Sequence, residues 1–332
     1  MILAGDVGGT KTILGLFENA EGRPRAIAVS VFRTLDHDSL PGFVAAFLVE
    51  TGVSMDAVSA ACFGVAGPVS GGRARLTNVP WSIDTRDFVD GFGWSRVMLL
   101  NDLEAMACAI PVLLESELHV LQRGEPRLDG HMALIAAGTG LGEAFLHNVN
   151  GRLIPAASEG GHADWAARGE GDIQVLCSLR QRYGRVEVEQ VVSGRGLLNL
   201  HRVMHATPCH VVTGDDDRCT PAAITAAAFD RRCGGCMETL NVFVDAFGAE
   251  AGNLALRTLA TAGVFVGGGI APKILPALTD GRFMRAFVDK APFTQLLERI
   301  PVKVILNDQA GLLGAGVRAL QEGTGWARRS AP

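Results

Sequence analysis

The sequence has no apolar run of about 18 residues free of charge and turn signals, so no membrane-spanning helix is expected. Its first residues, Met1-Ile2-Leu3-Ala4-Gly5-Asp6, lack the basic stretch followed by an apolar one that marks a secretory leader. Positive charge is not in surplus: 30 Lys and Arg face 35 Asp and Glu, a net charge of −5. That balance argues against a nucleic-acid partner held on a broadly basic face. There is no collagen period and no Gly/Ser linker. Cysteine is sparse and odd in number, seven in all, mostly among apolar neighbours. This favours reduced thiols in a cytoplasmic protein over a disulfide framework.

What is present is a chain of 332 residues, enough for roughly two domains at about 150 residues each. A 48% hydrophobic and 20% charged composition fits a packed globular core. Glycine is abundant, 41 residues, in short clusters that follow apolar runs and so mark backbone-critical turns. Ile2–Ala4 and Ile13–Phe17 read as strands around a glycine loop. A helix is expected over Phe43–Glu50, a buried strand over Ala57–Val65, and a short strand over Val97–Leu100. Asn101 then caps a helix running from Asp102 to Ile110, which Pro111 closes. Met132–Ala137 and Glu143–Val149 form a second strand pair around glycines, ending in the turn signal Asn150-Gly151. Residues 171–260 read as mostly helical. Val264–Val266 and Val302–Leu306 are strands, and Gly311–Leu320 is a closing helix. Two α/β halves, each opening with a strand–glycine loop–strand hairpin, imply a ligand cleft between them.

Gly5 to Thr12 nearly matches the P-loop pattern G-x-x-x-x-G-K-[ST], with Thr10 where the second Gly belongs. A P-loop precedes a helix, whereas this loop precedes a strand, so that reading is rejected. A glycine hairpin still suits phosphate. Gly8 and Gly9 permit close backbone approach, while Thr10, Thr12 and Lys11 add donors. Asp6 would tolerate a polyphosphate only with Mg2+ between them, through water. Gly138-Thr139-Gly140-Leu141-Gly142 repeats this chemistry, and Gly267-Gly268-Gly269 offers a third approach to backbone. Each alone reads equally well as a tight turn; together they point to a nucleotide.

Asn101-Asp102 falls where a strand gives way to a helix, a position that favours an anionic carboxylate and suits a general base. A capping role is the alternative. Ser158-Glu159-Gly160-Gly161-His162, with Glu189 further on, offers acceptors and a donor to a polyol; a solvated loop or a metal site are the other readings. Cys233-Gly234-Gly235-Cys236, preceded by Cys209, His210 and Cys219, could assemble zinc ligands. The spacings match no common finger and the second Cys enters a helical stretch, so reduced thiols are preferred there. Trp81 and Trp165 are assigned to the core rather than to a sugar face.

Taken together these segments resemble the bacterial ATP-dependent glucokinases of the hexokinase/actin-like superfamily. The matching stretches are Gly5–Thr10, Leu76-Thr77-Asn78 with Trp81, Asn101-Asp102, Gly138–Gly142, Glu159–His162, Glu189 before Val191–Gly194, Gly263–Pro272 and Gly311–Gly314. The resemblance implies an α/β, two-domain actin-like fold with ribonuclease H-like repeats and an interdomain cleft. Residues 1–112 plus 303–322 would form a small domain, 113–302 a large one, and 323–332 a frayed tail. It implies a cytoplasmic, homodimeric enzyme phosphorylating glucose with ATP and Mg2+, with no nucleic-acid or membrane partner. Asp102 would be the catalytic base. Asn78, Asn101, Asp102, Glu159, His162 and Glu189 would bind sugar. Asp6, Gly8, Gly9, Thr10, Lys11, Gly138, Thr139, Gly140, Gly268 and Gly269 would hold ATP, with Asp6 near Mg2+. Lys11-Thr12 resembles the related ROK sugar kinases, whose cysteine motif after the His is absent after His162. A kinase for mannose, glucosamine or N-acetylmannosamine, or a non-catalytic sugar- and ATP-binding regulator, are the alternatives.

Overall fold

The structure, a computed structural model, describes residues 1–76, 79–205, 209, 211 and 219–323. The chain divides into two compact units, 1–114 with 307–332 and 115–306. In the first unit, β1 (Ile2–Val7) pairs antiparallel with β2 (Lys11–Ala20), and β2 with β3 (Arg23–Arg33). On its other side β1 runs parallel to β4 (Ala60–Val65). A small separate sheet follows, of β5 (Val69–Ser70), β6 (Arg73–Arg75) and β7 (Ser82–Asp84). The last strand, β8 (Val97–Asn101), is parallel to β4.

Alternation along β1 sets the two faces of this sheet. Leu3 and Val7 join one core with Phe43 and Phe47 of α1 (Leu40–Thr51) and Phe88 of α2 (Arg86–Phe92). Ile2 and Ala4 join the opposite core with Ala105 and Cys108 of α3 (Asp102–Ala109) and Leu312, Ala315 and Ala319 of the closing helix, Ala310–Gly323. Asp6 continues that second face. A short 3-10 turn, Ile110–Val112, ends α3 at Pro111, as the proline dictates.

The second unit repeats the plan. Its strands are β9 (Leu118–Gln122), β10 (Met132–Ala137), β11 (Leu141–Val149), β12 (Arg152–Ser158), β13 (Gly263–Gly267) and β14 (Val302–Ile305). The order β12-β11-β10-β13-β14 reproduces β3-β2-β1-β4-β8, with the same two antiparallel and two parallel pairings. Only β9, antiparallel on the outer side of β14, is additional. Asn150 and Gly151 have left-handed backbones, φ 53° and 83°, and close the β11–β12 hairpin. Among the described residues four α-helices fill the middle: α4 (Glu170–Tyr183), α5 (Gly194–Met204), α6 (Pro221–Phe229) and α7 (Gly234–Thr258).

The repetition extends to a detail. Asn101 ends β8 and caps α3, its Oδ1 accepting from Leu103 N–H at 3.0 Å. After β14, Asn307 Oδ1 accepts from Gln309 N–H at 2.8 Å, just before the closing helix.

Two corrections concern boundaries. The first crossing lies between residues 114 and 115 rather than 112 and 113. The return lies between 306 and 307 rather than 302 and 303, because β14 is bonded to β13 and β9 in the second sheet. Strands β3, β9 and β12 and the small sheet were not expected. The tail beyond residue 323 and Asn78 lie outside the described residues. Among the described residues no helix is long and apolar enough to cross a membrane.

Glycines set how closely α3 is packed. A Cβ on Gly314 would overlap the Ala105 carbonyl oxygen, and one on Gly64 would stand 2.7 Å from the Ala105 Cβ. Gly314→Ala should therefore destabilise the protein by about 1–3 kcal/mol through overpacking. Gly91→Ala, in α2 with open space around it, should stabilise by up to about 1 kcal/mol. Urea midpoints measure both, and equal gains for the two variants would contradict the tight contact.

Candidate active site

In the first unit the parallel register carries the site. Val7 is level with Val65, and Val65 with Asn101, so three strands end on one line. The glycine turn follows β1 there, Gly67 follows β4, and Asp102 follows β8. Carboxyl ends of parallel strands are where open α/β sheets bind ligands. The turn is pinned: Gly8 N–H donates to the Lys11 carbonyl at 2.9 Å, and Thr34 N–H to the Thr10 carbonyl at 3.0 Å. The Thr34 hydroxyl donates to the Gly8 carbonyl at 2.7 Å and lies 3.0 Å from the hydroxyl of Thr12. Among the described residues no backbone partner takes up the N–H of Gly9 or Thr10. A helix does not follow, which disposes of the P-loop reading.

Asp102 is half-buried at the first position of α3, its Oδ1 accepting from Leu103 N–H at 2.9 Å. Asn101 also donates through Nδ2 to the Gly67 carbonyl at 3.3 Å, tying the end of β8 to the turn after β4. Asp6 faces the closing helix, where a Cβ on Gly311 would stand 3.1 Å from its Oδ2. Burial pushes the Asp6 carboxyl above its ordinary range, against the opposing pull of Lys11.

In the second unit, Gly138 N–H donates to the Gly140 carbonyl at 2.8 Å, and Gly194 N–H donates to the Gly138 carbonyl at 2.8 Å. The loop is thus fastened to the start of α5. Glu189 holds it from the other side, Oε2 accepting from Leu141 N–H at 2.9 Å and filling the space a Gly140 side chain would need. Gly268 has φ 83°, and a Cβ there would overlap the Ala137 carbonyl; beside Gly269 there is open space. These two glycine loops are neighbours because β10 and β13 are paired, Ala136 opposite Gly267.

The expected Glu159–His162 pair is joined by a carboxylate that the sequence reading missed. His162 Nδ1 is 2.6 Å from Glu187 Oε2, and Nε2 is 3.9 Å from Glu159 Oε2. A carboxylate only accepts, so Nδ1–H donates. The Glu187 bond is the main reason that the imidazole titrates above its ordinary value. Arg185 bridges Glu187 and Asp164 at 2.8 and 2.9 Å.

This chain matches the family model described as Glucokinase over residues 3–322. It is 37% identical to a glucokinase from Nostoc punctiforme, covering 96% of this chain and 98% of the relative. The chain belongs to the glucokinase family. Among solved structures, a glucokinase from an Antarctic psychrotroph superposes with a TM-score of 0.86 at 30% identity, covering 96% of this chain and 98% of that one. A ROK family glucokinase from Streptomyces griseus, solved with glucose and AMPPNP, shares the fold at a TM-score of 0.65 and 23% identity, with 96% and 99% covered. This member of the glucokinase family is accordingly a kinase with the two-domain actin-like hexokinase fold.

For this glucokinase-family chain, the structure groups Asp6, Gly8, Gly9, Thr10, Lys11, Asn101 and Asp102 along one sheet edge, and Gly138, Thr139, Gly140, Glu189, Gly268 and Gly269 along the other. Glu159 and His162 form a third group with Glu187. Trp165 is core, and Trp81 packs against the core beside Phe43. Thr34, Glu187 and Glu143 belong to no motif and were missed. Glu143 lies on β11 opposite Ser158, its carboxylate filling the space a Gly160 side chain would need. It is 1% exposed, and its Oε1 has no hydrogen-bond partner among the described residues. Burial, then the neighbouring Glu250, pushes it up to about 7. Its folded form therefore holds a proton that the unfolded chain releases near pH 4.5, and stability falls as pH rises from there to about 7. Glu143→Gln should match the wild type at pH 4.5 and exceed it by roughly 2 kcal/mol at pH 8, read from urea melts. A variant less stable than the wild type at pH 8 would contradict this environment.

Proposed function

We propose that the protein transfers the γ-phosphoryl group of ATP to the 6-hydroxyl of glucose, giving glucose 6-phosphate and ADP. The observation that carries this reading is the alignment of Asp102 with a pinned, glycine-rich turn at the carboxyl ends of β1, β4 and β8, in a chain of the glucokinase family.

The sugar 6-oxygen attacks the γ-phosphorus while its proton passes to the Asp102 carboxylate; the bond from γ-phosphorus to the β–γ bridging oxygen breaks, and that oxygen leaves with the electron pair as part of ADP. Leu103 N–H and the start of α3 fix the orientation of Asp102. Asn101, Asn78, Glu159, His162 and Glu189 take the remaining sugar hydroxyls, whose paired donor and acceptor character suits a mix of carboxylates, amide and imidazole. Glu189 has a second task, since the same carboxylate shapes the Gly138–Gly140 loop. Gly8, Gly9, Thr10 and Lys11 are assigned to phosphate oxygens, as are Gly138, Thr139 and Gly140. Gly268 and Gly269 accommodate the adenosine, the open space beside Gly269 suiting a flat group.

Asp6 fits Mg2+ held through water: a desolvated carboxyl beside the phosphate turn gains from a hard cation nearby. The ion supplies charge neutralisation on the phosphates. A reaction drawing on ATP, and a chain whose seven cysteines are all thiols, fit the cytoplasm.

A matrix of initial rates, ATP and other donors against glucose, mannose, glucosamine and N-acetylmannosamine, tests the reaction and the sugar together. ATP with glucose should give the highest kcat/KM, and ADP should form only when both are present. A higher value for another hexose would move the assignment to that sugar, and no ADP with any sugar would favour a non-catalytic binder. Asp102→Asn should lower kcat by about 10²–10⁴-fold with an unchanged melting temperature. Full activity in that variant would remove Asp102 from the base role.

A further inference from the structure

A cluster of thiols and imidazoles lies in the second unit, built from the end of α5 and the start of α7. Ligand atoms of His201, His205, Cys209 and Cys236 all lie within 4.8 Å of one another. Cys233 joins them, its Sγ 3.2 Å from His205 Nε2 and 3.6 Å from Cys209 Sγ, while Cys209 and Cys236 sulfurs are 3.9 Å apart. The glucokinase reading uses none of these groups.

We propose that Cys209, Cys233, Cys236 and His205 bind one structural zinc ion, which clips the end of α5 to the first turn of α7. Zinc–sulfur bonds of about 2.3 Å and zinc–nitrogen bonds of about 2.0 Å put tetrahedral ligands about 3.8 Å apart between sulfurs and about 3.6 Å between sulfur and nitrogen. The three separations given above lie within a few tenths of an ångström of these, and the His205, Cys209 and Cys236 ligand atoms all lie within 4.8 Å of one another. The tautomer is also set. His205 Nδ1 is 2.7 Å from the His201 carbonyl, which can only accept, so Nδ1 carries the proton and Nε2 presents its lone pair to the thiols. Gly235 is required between the two cysteines, because a Cβ there would stand 2.5 Å from His205 Nε2. All three cysteines are buried, so the ion would sit out of water in a closed, four-ligand site of the structural kind.

Sequence alone named Cys209, Cys233 and Cys236 among possible zinc ligands, with reduced thiols preferred, but not His205. His210, the imidazole considered there, lies outside the described residues, and Cys219 is instead 3.8 Å from His201 Nδ1. His201 stacks on His205 with ring centroids 4.1 Å apart and is 6% exposed. Its Nε2 is buried with no hydrogen-bond partner among the described residues, and the ring is placed beside the ion because Cys233 has the shorter contacts to His205 and Cys209. The clip lies at one end of α5; the other end begins at Gly194, whose N–H holds the Gly138 carbonyl. A helix of 11 residues, about 16 Å long, thus connects the metal to the second glycine loop.

Zinc content of the full-length protein, produced with zinc and purified under reductant without chelator, tests the proposal. About one zinc per chain should survive gel filtration, as a closed four-ligand site holds its ion. Cys236→Ser and His205→Asn should each lose most of it, whereas His201→Asn and Cys177→Ser, the latter on an exposed face of α4, should keep it. Should the first two variants fail to fold, cobalt decides on the wild type. One equivalent of Co2+ added to chelator-stripped protein should give the thiolate charge-transfer and visible bands of a tetrahedral sulfur-rich site, lost on adding zinc. Wild-type protein that carries no zinc and gives no such spectrum would overturn the proposal, as would a Cys209–Cys233 disulfide in protein purified under reductant. Loss of zinc in His201→Asn with retention in Cys233→Ser would overturn the donor set.

Discussion

Hydrogen bonding between parallel strands is the constraint from which the candidate site follows. Because Val7, Val65 and Asn101 are level across β1, β4 and β8, whatever residue comes next in each strand emerges on the same edge. A one-residue slip in a parallel pair would turn each strand's side chains to the other face. The two unlike cores on the sheet's faces prevent this: phenylalanines of α1 and α2 on one side, small residues of α3 and the closing helix on the other. Burial therefore fixes register, and register fixes where Asp102 stands relative to Gly8.

The glycines act in two distinct ways. Gly269 leaves open space beside its backbone, whereas Gly64, Gly314, Gly140, Gly160 and Gly235 each make room for a particular neighbour. For Gly140 and Gly160 that neighbour is a carboxylate, Glu189 or Glu143, and for Gly235 it is the His205 ring. The acidic groups so admitted have different environments. Glu189 has a backbone N–H to accept from, while Glu143 is enclosed near Glu250 and burial pushes its carboxyl above the ordinary carboxylate range.

Much of this was legible in the sequence. The strand–loop–strand openings, the Asn101 cap and the Pro111 stop each come from local chemistry, and each appears at the expected place. The glycine loops were legible as loops, and the residue after each strand as a candidate. β3 was not, since Arg23–Arg33 mixes a proline and arginines into an exposed, alternating segment with little burial to mark it. Thr34 and Glu187 were missed for another reason: one pins a turn 26 residues away and the other meets an imidazole 25 residues away. No spacing rule reaches that far. The two histidines near Cys233 were hidden similarly, because four-residue spacing on α5 reads as an ordinary helical face. The end of the second unit was misjudged because a strand's partner, not its own composition, decides which sheet it joins.

The matching caps at Asn101 and Asn307 serve different ends. Asn101 closes the fifth strand of its sheet order and Asn307 comes two residues after the fifth strand of the other; each precedes an aspartate, and each accepts from the backbone N–H two residues on. Asp102 is half-buried and Asp308 exposed. The same cap thus sets an acid at a sheltered strand end in one sheet, and in the other marks the crossover by which the polypeptide rejoins its starting half.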